Sequence, residues 1–111
     1  MALFKRDKPP KDPHTPEFMR YMAKKLDGRK VRFALEREGG TDKIIGKDGF
    51  ISVYEGFLSV ICGEKTLFKA KVDTIISFYE FLSLEGAIIT AFDVILEKER
   101  TIMAYYKYFH N

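Results

Sequence analysis

The chain of 111 residues contains no tryptophan, one cysteine and two histidines. A lone Cys62 cannot staple the chain internally, so the fold rests on an apolar core, and a free thiol fits a reducing compartment. His14 and His110 share no ligand spacing with Cys62 of the C-x2-C or H-x3-H kind, and neither is placed as a base for a thiolate nucleophile. Cys62 alternates in step with Leu58 and Val60 and reads as a small core residue. No metal and no cofactor is expected.

A long hydrophobic run is also missing. The most apolar window, Thr74 to Phe92, carries Glu80 and Glu85, and one charge at mid-membrane costs about 2.5–3.5 kcal/mol on insertion scales. The opening "MALFKRDKPPKDP" has no apolar stretch after its basic residues, so it does not read as a secretory leader. Ala2 stands where myristoylation needs glycine. The expectation is a soluble, cytoplasmic protein.

Excess charge is modest and unevenly placed. The net charge is +3, yet residues 1–30 hold nine Lys and Arg against four Asp and Glu, while residues 31–111 hold ten against twelve. The body is therefore mildly acidic, which speaks against nucleic acid as a partner. The ending "KYFHN" also lacks the glycine and aromatic spacing of an RNA-reading strand.

What is present is mostly period two. Pro9, Pro10 and Pro13 make residues 1–14 a flexible basic arm. Thr15 then caps, Pro16 suits a first helical position, and Phe18, Met22 and Leu26 recur at i, i+4 and i+8, with Met19 and Ala23 beside them. The spacing predicts an amphipathic helix over 16–27, ended by Gly28. From Lys30 the alternation predicts strands over 30–36, 43–46, 50–54, 57–62, 66–72, 75–82, 87–93 and 100–109, with Lys47-Asp48-Gly49 read as a hairpin turn. The chain thus reads as mainly β (α+β): an antiparallel meander of seven to eight short strands with one N-terminal helix, all within a single domain over 15–111.

The last strand concentrates aromatic residues. Ile102, Ala104, Tyr106 and Tyr108 line one face; Thr101, Met103, Tyr105, Lys107 and Phe109 line the other. Core strand is the plain reading of this stretch. The second face needs a cover, either the helix of 16–26 or another molecule, which makes Met103, Tyr105, Lys107 and Phe109 a candidate protein interface.

Two segments glance at chemistry. Gly40 to Lys47 resembles a phosphate-binding loop, but five residues separate its glycines where four are needed, and Asp48 replaces the hydroxyl residue. Glu80 interrupts the apolar face of Ile76, Phe78 and Leu82; a structural charge paired with Lys69 or Lys71 is the simpler reading than a catalytic acid.

From Phe50 to Gly86 the pattern resembles the pleckstrin-homology-like superfold, in particular the short bacterial PH-like and GRAM-like domains. The residues carrying the resemblance are Ile51-x-Val53, the Glu55-Gly56 turn, Leu58-x-Val60, Gly63-Glu64-Lys65, Leu67-Phe68, Val72-x-x-Ile75 and "SLEGAIIT". It implies a roll or split barrel of two curled sheets and a binding role without catalysis. That family closes its barrel with a C-terminal helix, whereas this helix comes first. Its phosphoinositide-binding members use basic residues around the first hairpin; here Lys30 and Arg32 match in type, beside a loop "EREGGTDK" diluted by acids.

Two functions follow as expectations. The first is a non-enzymatic protein-interaction module that engages a protein partner or forms a homodimer. The second is a peripheral membrane adaptor resting Lys5, Arg6, Lys8, Lys11, Lys24 and Lys25 on anionic lipid.

Overall fold

Thr15, in extended conformation, accepts a hydrogen bond from the Phe18 amide at 3.2 Å and starts helix α1, Pro16–Leu26. The predicted helix runs one residue further, but Asp27 is already extended and its carboxylate accepts the Val53 amide at 2.8 Å. Gly28 follows at φ +84°, donating to the Ile51 carbonyl at 2.7 Å. Met19, Met22, Ala23 and Leu26 form the buried face of α1, as the spacing predicts.

A computed structural model describes residues 10–107. Beyond α1 it contains β1 (Lys30–Glu38), β2 (Thr41–Tyr54), β3 (Phe57–Cys62), β4 (Lys65–Lys71), a 3-10 turn at Val72–Thr74, β5 (Ser77–Glu80), β6 (Gly86–Asp93) and β7 (Lys98–Tyr105). The seven strands form one antiparallel sheet in the order β4-β3-β2-β1-β7-β6-β5. Two meanders, β1 to β4 and β5 to β7, are thus joined by the pairing of β1 with β7. The mainly β architecture with one N-terminal helix is as the alternation predicts.

The sheet rolls until its β4 edge meets the far end of β6. There the Lys69 amide donates to Asp93 Oδ1 at 2.9 Å and the Val94 amide donates to the Lys69 carbonyl at 2.8 Å. Inside the roll Ile51, Leu58, Val60, Phe68, Phe78, Ile89 and Ile102 are fully enclosed, and the buried face of α1 joins the same cluster. Apolar burial on this concave face is the main source of stability.

Three expectations are corrected. The Lys47-Asp48-Gly49 hairpin does not form: β2 is continuous through it, which merges two predicted strands into one of 14 residues. Asp48 does adopt the positive φ expected of the dipeptide, at 56°, but it stands opposite Arg32 within the ladder. The alternation slips there, so that Val31 and Ala34, three apart, both enter the core. The lack of a side chain at Gly49 serves strand contact, since a Cβ there would overlap the Ile61 carbonyl oxygen and lie 2.8 Å from Cys62 Cα. Second, β5 is shorter than predicted; Phe78 is buried, whereas Ile76 and Leu82 are exposed. Third, α1 packs on the core side shared with Ile102, Ala104 and Tyr106, so it does not cover the Met103 and Tyr105 face of β7.

Candidate interaction surfaces

The outer face of the sheet carries its own apolar row. Strand registers place Ile44, Leu35, Met103, Ile88 and Tyr79 side by side across β2, β1, β7, β6 and β5. Met103, at the centre, is only 2% exposed, while Ile44 and Tyr79 at the ends are exposed. Beside this row Phe33 stacks on Tyr105 with ring centroids 4.5 Å apart, and Phe81 tilts onto Tyr105 at 4.9 Å. Phe81 reaches that position because Gly86, opposite Tyr105, has no side chain; a Cβ there would lie 2.6 Å from Phe81 Cε2. Met103 and Tyr105 both lie on this outer side, with Met103 sealed within it. Lys107 is exposed, 3.8 Å from Glu85. Phe109 lies outside the described residues, as does His110.

Ion pairs flank the row. Arg37 holds Asp42 through two hydrogen bonds of 2.9 and 3.2 Å, which lower the Asp42 carboxyl and raise the Arg37 guanidinium from their ordinary values. Between this pair and the turn beyond β6, Thr90 and Thr101 hydrogen-bond to each other at 3.0 Å. The next outward residue on β6 is the exposed Phe92, and the chain then turns through residues 94–97.

That turn displays three consecutive aliphatic side chains. Val94, Ile95 and Leu96 are 39%, 45% and 54% exposed. Their backbone is fixed from inside, where Asp93 Oδ1 accepts the Ile95 amide at 3.3 Å and Oδ2 accepts the Leu96 amide at 2.9 Å. Oδ2 also accepts Arg100 Nη1 at 3.0 Å. Arg100 continues inward, donating to both Glu36 oxygens at 3.0 and 2.7 Å and to the Leu67 carbonyl at 2.8 Å. Burial opposes the charge on Asp93, but the Lys69, Leu96 and Ile95 amides and Arg100 outweigh it and hold the carboxyl below its usual range. The hydrogen bond from Arg100 likewise lowers Glu36. Sequence reasoning passed over this network, although Asp93 alternates in step with Ala87, Ile89 and Ala91, and Arg100 with Ile102 and Ala104.

The basic residues separate. Lys5, Arg6 and Lys8 lie outside the described residues, and Lys11 is exposed. Lys25 donates to Glu80 at 2.8 Å, which raises the lysine and supplies Glu80 with its partner in place of Lys69 or Lys71. Glu80 also acts on Tyr106, whose hydroxyl is buried without a hydrogen bond among the described residues. Burial, aided by the charge of Glu80, pushes that phenol up to about 12, and the Arg29 guanidinium lies 4.0 Å from the ring centre. Burial raises the Cys62 thiol as well, keeping it protonated. His14 is exposed, and no cluster of three or more metal-ligating side chains occurs among the described residues.

Lys24, exposed on α1, borders a groove of about 340 Å³ between α1, the β2–β3 turn and the 3-10 turn. Ala23, Val53 and Val72 supply its apolar lining. Arg20 and Asp73 form a 2.9 Å ion pair at its border, and Lys71 and Asp27 complete the charged rim.

Among the described residues no helix is long and apolar enough to cross a membrane. No family model matches the chain, and neither a curated protein nor a solved structure is significantly similar to it.

Proposed function

We propose that this chain is a non-enzymatic protein-interaction module that docks through the outer face of β5, β6, β7 and β1, with a second copy of itself as partner. The observation that carries the reading is the apolar row from Ile44 to Tyr79, extended along β6 by Phe92 to the fixed turn of Val94, Ile95 and Leu96. An apolar centre with a polar rim is the anatomy of a protein interface. The flanking pairs, Arg37–Asp42 and Lys107–Glu85, each sum to no charge. Such a rim offers no pull toward anionic lipid, but each pair can meet its own opposite in a two-fold arrangement. Seven antiparallel strands rolled around one core support the PH-like analogy, which by itself carries no function.

Of the residues named for the membrane alternative, Lys5, Arg6 and Lys8 lie outside the described residues and Lys25 is engaged by Glu80. Light scattering over a concentration series tests the leading reading, with Phe92→Ser/Ile95→Ser beside the native chain. Both positions are exposed, so the variant keeps its core. The expected result is a native mass rising toward the dimer and a variant that stays monomeric with an unchanged melting curve. A native chain that remains monomeric at its solubility limit, or a variant that dimerises equally well, overturns self-association through this face.

A further inference from the structure

We infer that the groove between α1 and the β2–β3 turn binds a straight-chain aliphatic carboxylate, with its chain along Ala23, Val53 and Val72 and its head between Arg20 and Lys71. The volume of about 340 Å³ falls at the lower end of the ~300–1,000 Å³ usual for small-molecule sites, which combine apolar walls with few polar anchors. The two acids on the rim are already engaged. Asp27 accepts the Val53 amide at 2.8 Å, and Asp73 accepts Arg20 Nη1 at 2.9 Å.

Arg20 retains further donors. A guanidinium has five N–H groups in a planar fork, and Asp73 takes one of them. The ion pair therefore orients the guanidinium at the rim and leaves N–H groups for a carboxylate, the group that this fork fits best. Lys71, at the end of β4, has no ion pair among the described residues and adds a second positive charge. The β2–β3 turn stays low at Gly56, whose φ of +83° favours glycine, leaving that border of the groove without a side chain.

The test is a heteronuclear NMR titration of the full chain with octanoate, alongside octylammonium as the opposite-charge control. With octanoate, amide shifts at Ala23, Val53, Gly56 and Val72 should saturate together; octylammonium should bind at least about tenfold more weakly. Arg20→Gln should weaken octanoate binding about tenfold. Lys71→Gln, which leaves the Arg20–Asp73 pair intact, should weaken it by a smaller factor, and neither exposed substitution should lower the melting temperature appreciably. Equal affinity for octylammonium, saturation elsewhere on the surface, or indifference to both substitutions would overturn the assignment.

Discussion

Arg100 and Asp93 meet at 3.0 Å inside the roll, with Asp93 at 0% exposure and Arg100 at 6%. The contact does two jobs. It ties β7 to the β4 edge through the Leu67 carbonyl and the Lys69 amide, and it fixes the turn that displays Val94, Ile95 and Leu96. Removing one partner of a buried pair strands the other charge, at about 3–5 kcal/mol. Arg100→Met is expected to destabilise the protein by that order in denaturant unfolding, with faster hydrogen exchange at Ile95 and Leu96. A loss below ~1 kcal/mol would show that the network does not close the roll.

The same network dictates the response to acid. Glu36 and Asp93 have folded pKa values below their ordinary ones, so their contribution is complete above about pH 4–5 and is lost as pH falls through the lowered values. The melting temperature should be level from neutral pH down to that range and decline below it. In Arg100→Met the buried carboxylates lack their cation, and protonation relieves them. The gap between variant and native chain should therefore narrow in acid; a constant gap would exclude the linkage.

Tyr106 predicts the opposite limb. Its phenol is raised to about 12, so its burial leaves stability independent of pH below the unfolded value of about 10, and stability is lost as pH rises from there through the folded one. Ultraviolet absorbance of tyrosinate should show one tyrosine titrating late, together with unfolding. Tyr106→Phe removes a buried hydroxyl that has no partner among the described residues, and should leave stability unchanged or raise it by about 1 kcal/mol. A loss above that size would reveal a hydrogen bond to the hydroxyl.

Gly49→Ala tests the strand contact in β2. Its Cβ would meet the Ile61 carbonyl oxygen and Cys62 Cα, both backbone atoms held in the β2–β3 ladder, as well as Cys62 Sγ. A loss of several kcal/mol is expected, with NMR shifts centred on the Gly49–Cys62 pairing. A melting curve like that of the native chain would mean that β2 and β3 separate freely at that point.

Local chemistry was legible. Thr15 and Pro16 announce α1 because capping depends on neighbours in sequence, and the Glu55-Gly56 and Gly63-Glu64 turns fall where expected. Asp48-Gly49 misled because positive φ marks a hairpin turn and a bend inside a long strand alike; only the approach of β3 distinguishes them. The partner of Glu80 was not legible, since Lys25 is 55 residues away and arrives through helix packing. The candidate surface was half legible. Alternation placed Met103 and Tyr105 together, but the lateral order β1-β7-β6-β5 that extends the row is a property of the folded sheet.

The pairing of β1 with β7 also governs when the fold can finish. Phe33 meets Tyr105, and Arg37 meets Thr101, across most of the described chain. The β1 to β4 meander can zip locally, but the junction of the two meanders must wait for a long loop to close, which slows folding. During synthesis the nascent chain therefore carries the outer edge of β1 unpaired until the ribosome has released β7. This interval, rather than the finished roll, is when the protein is most exposed to mispairing with another strand.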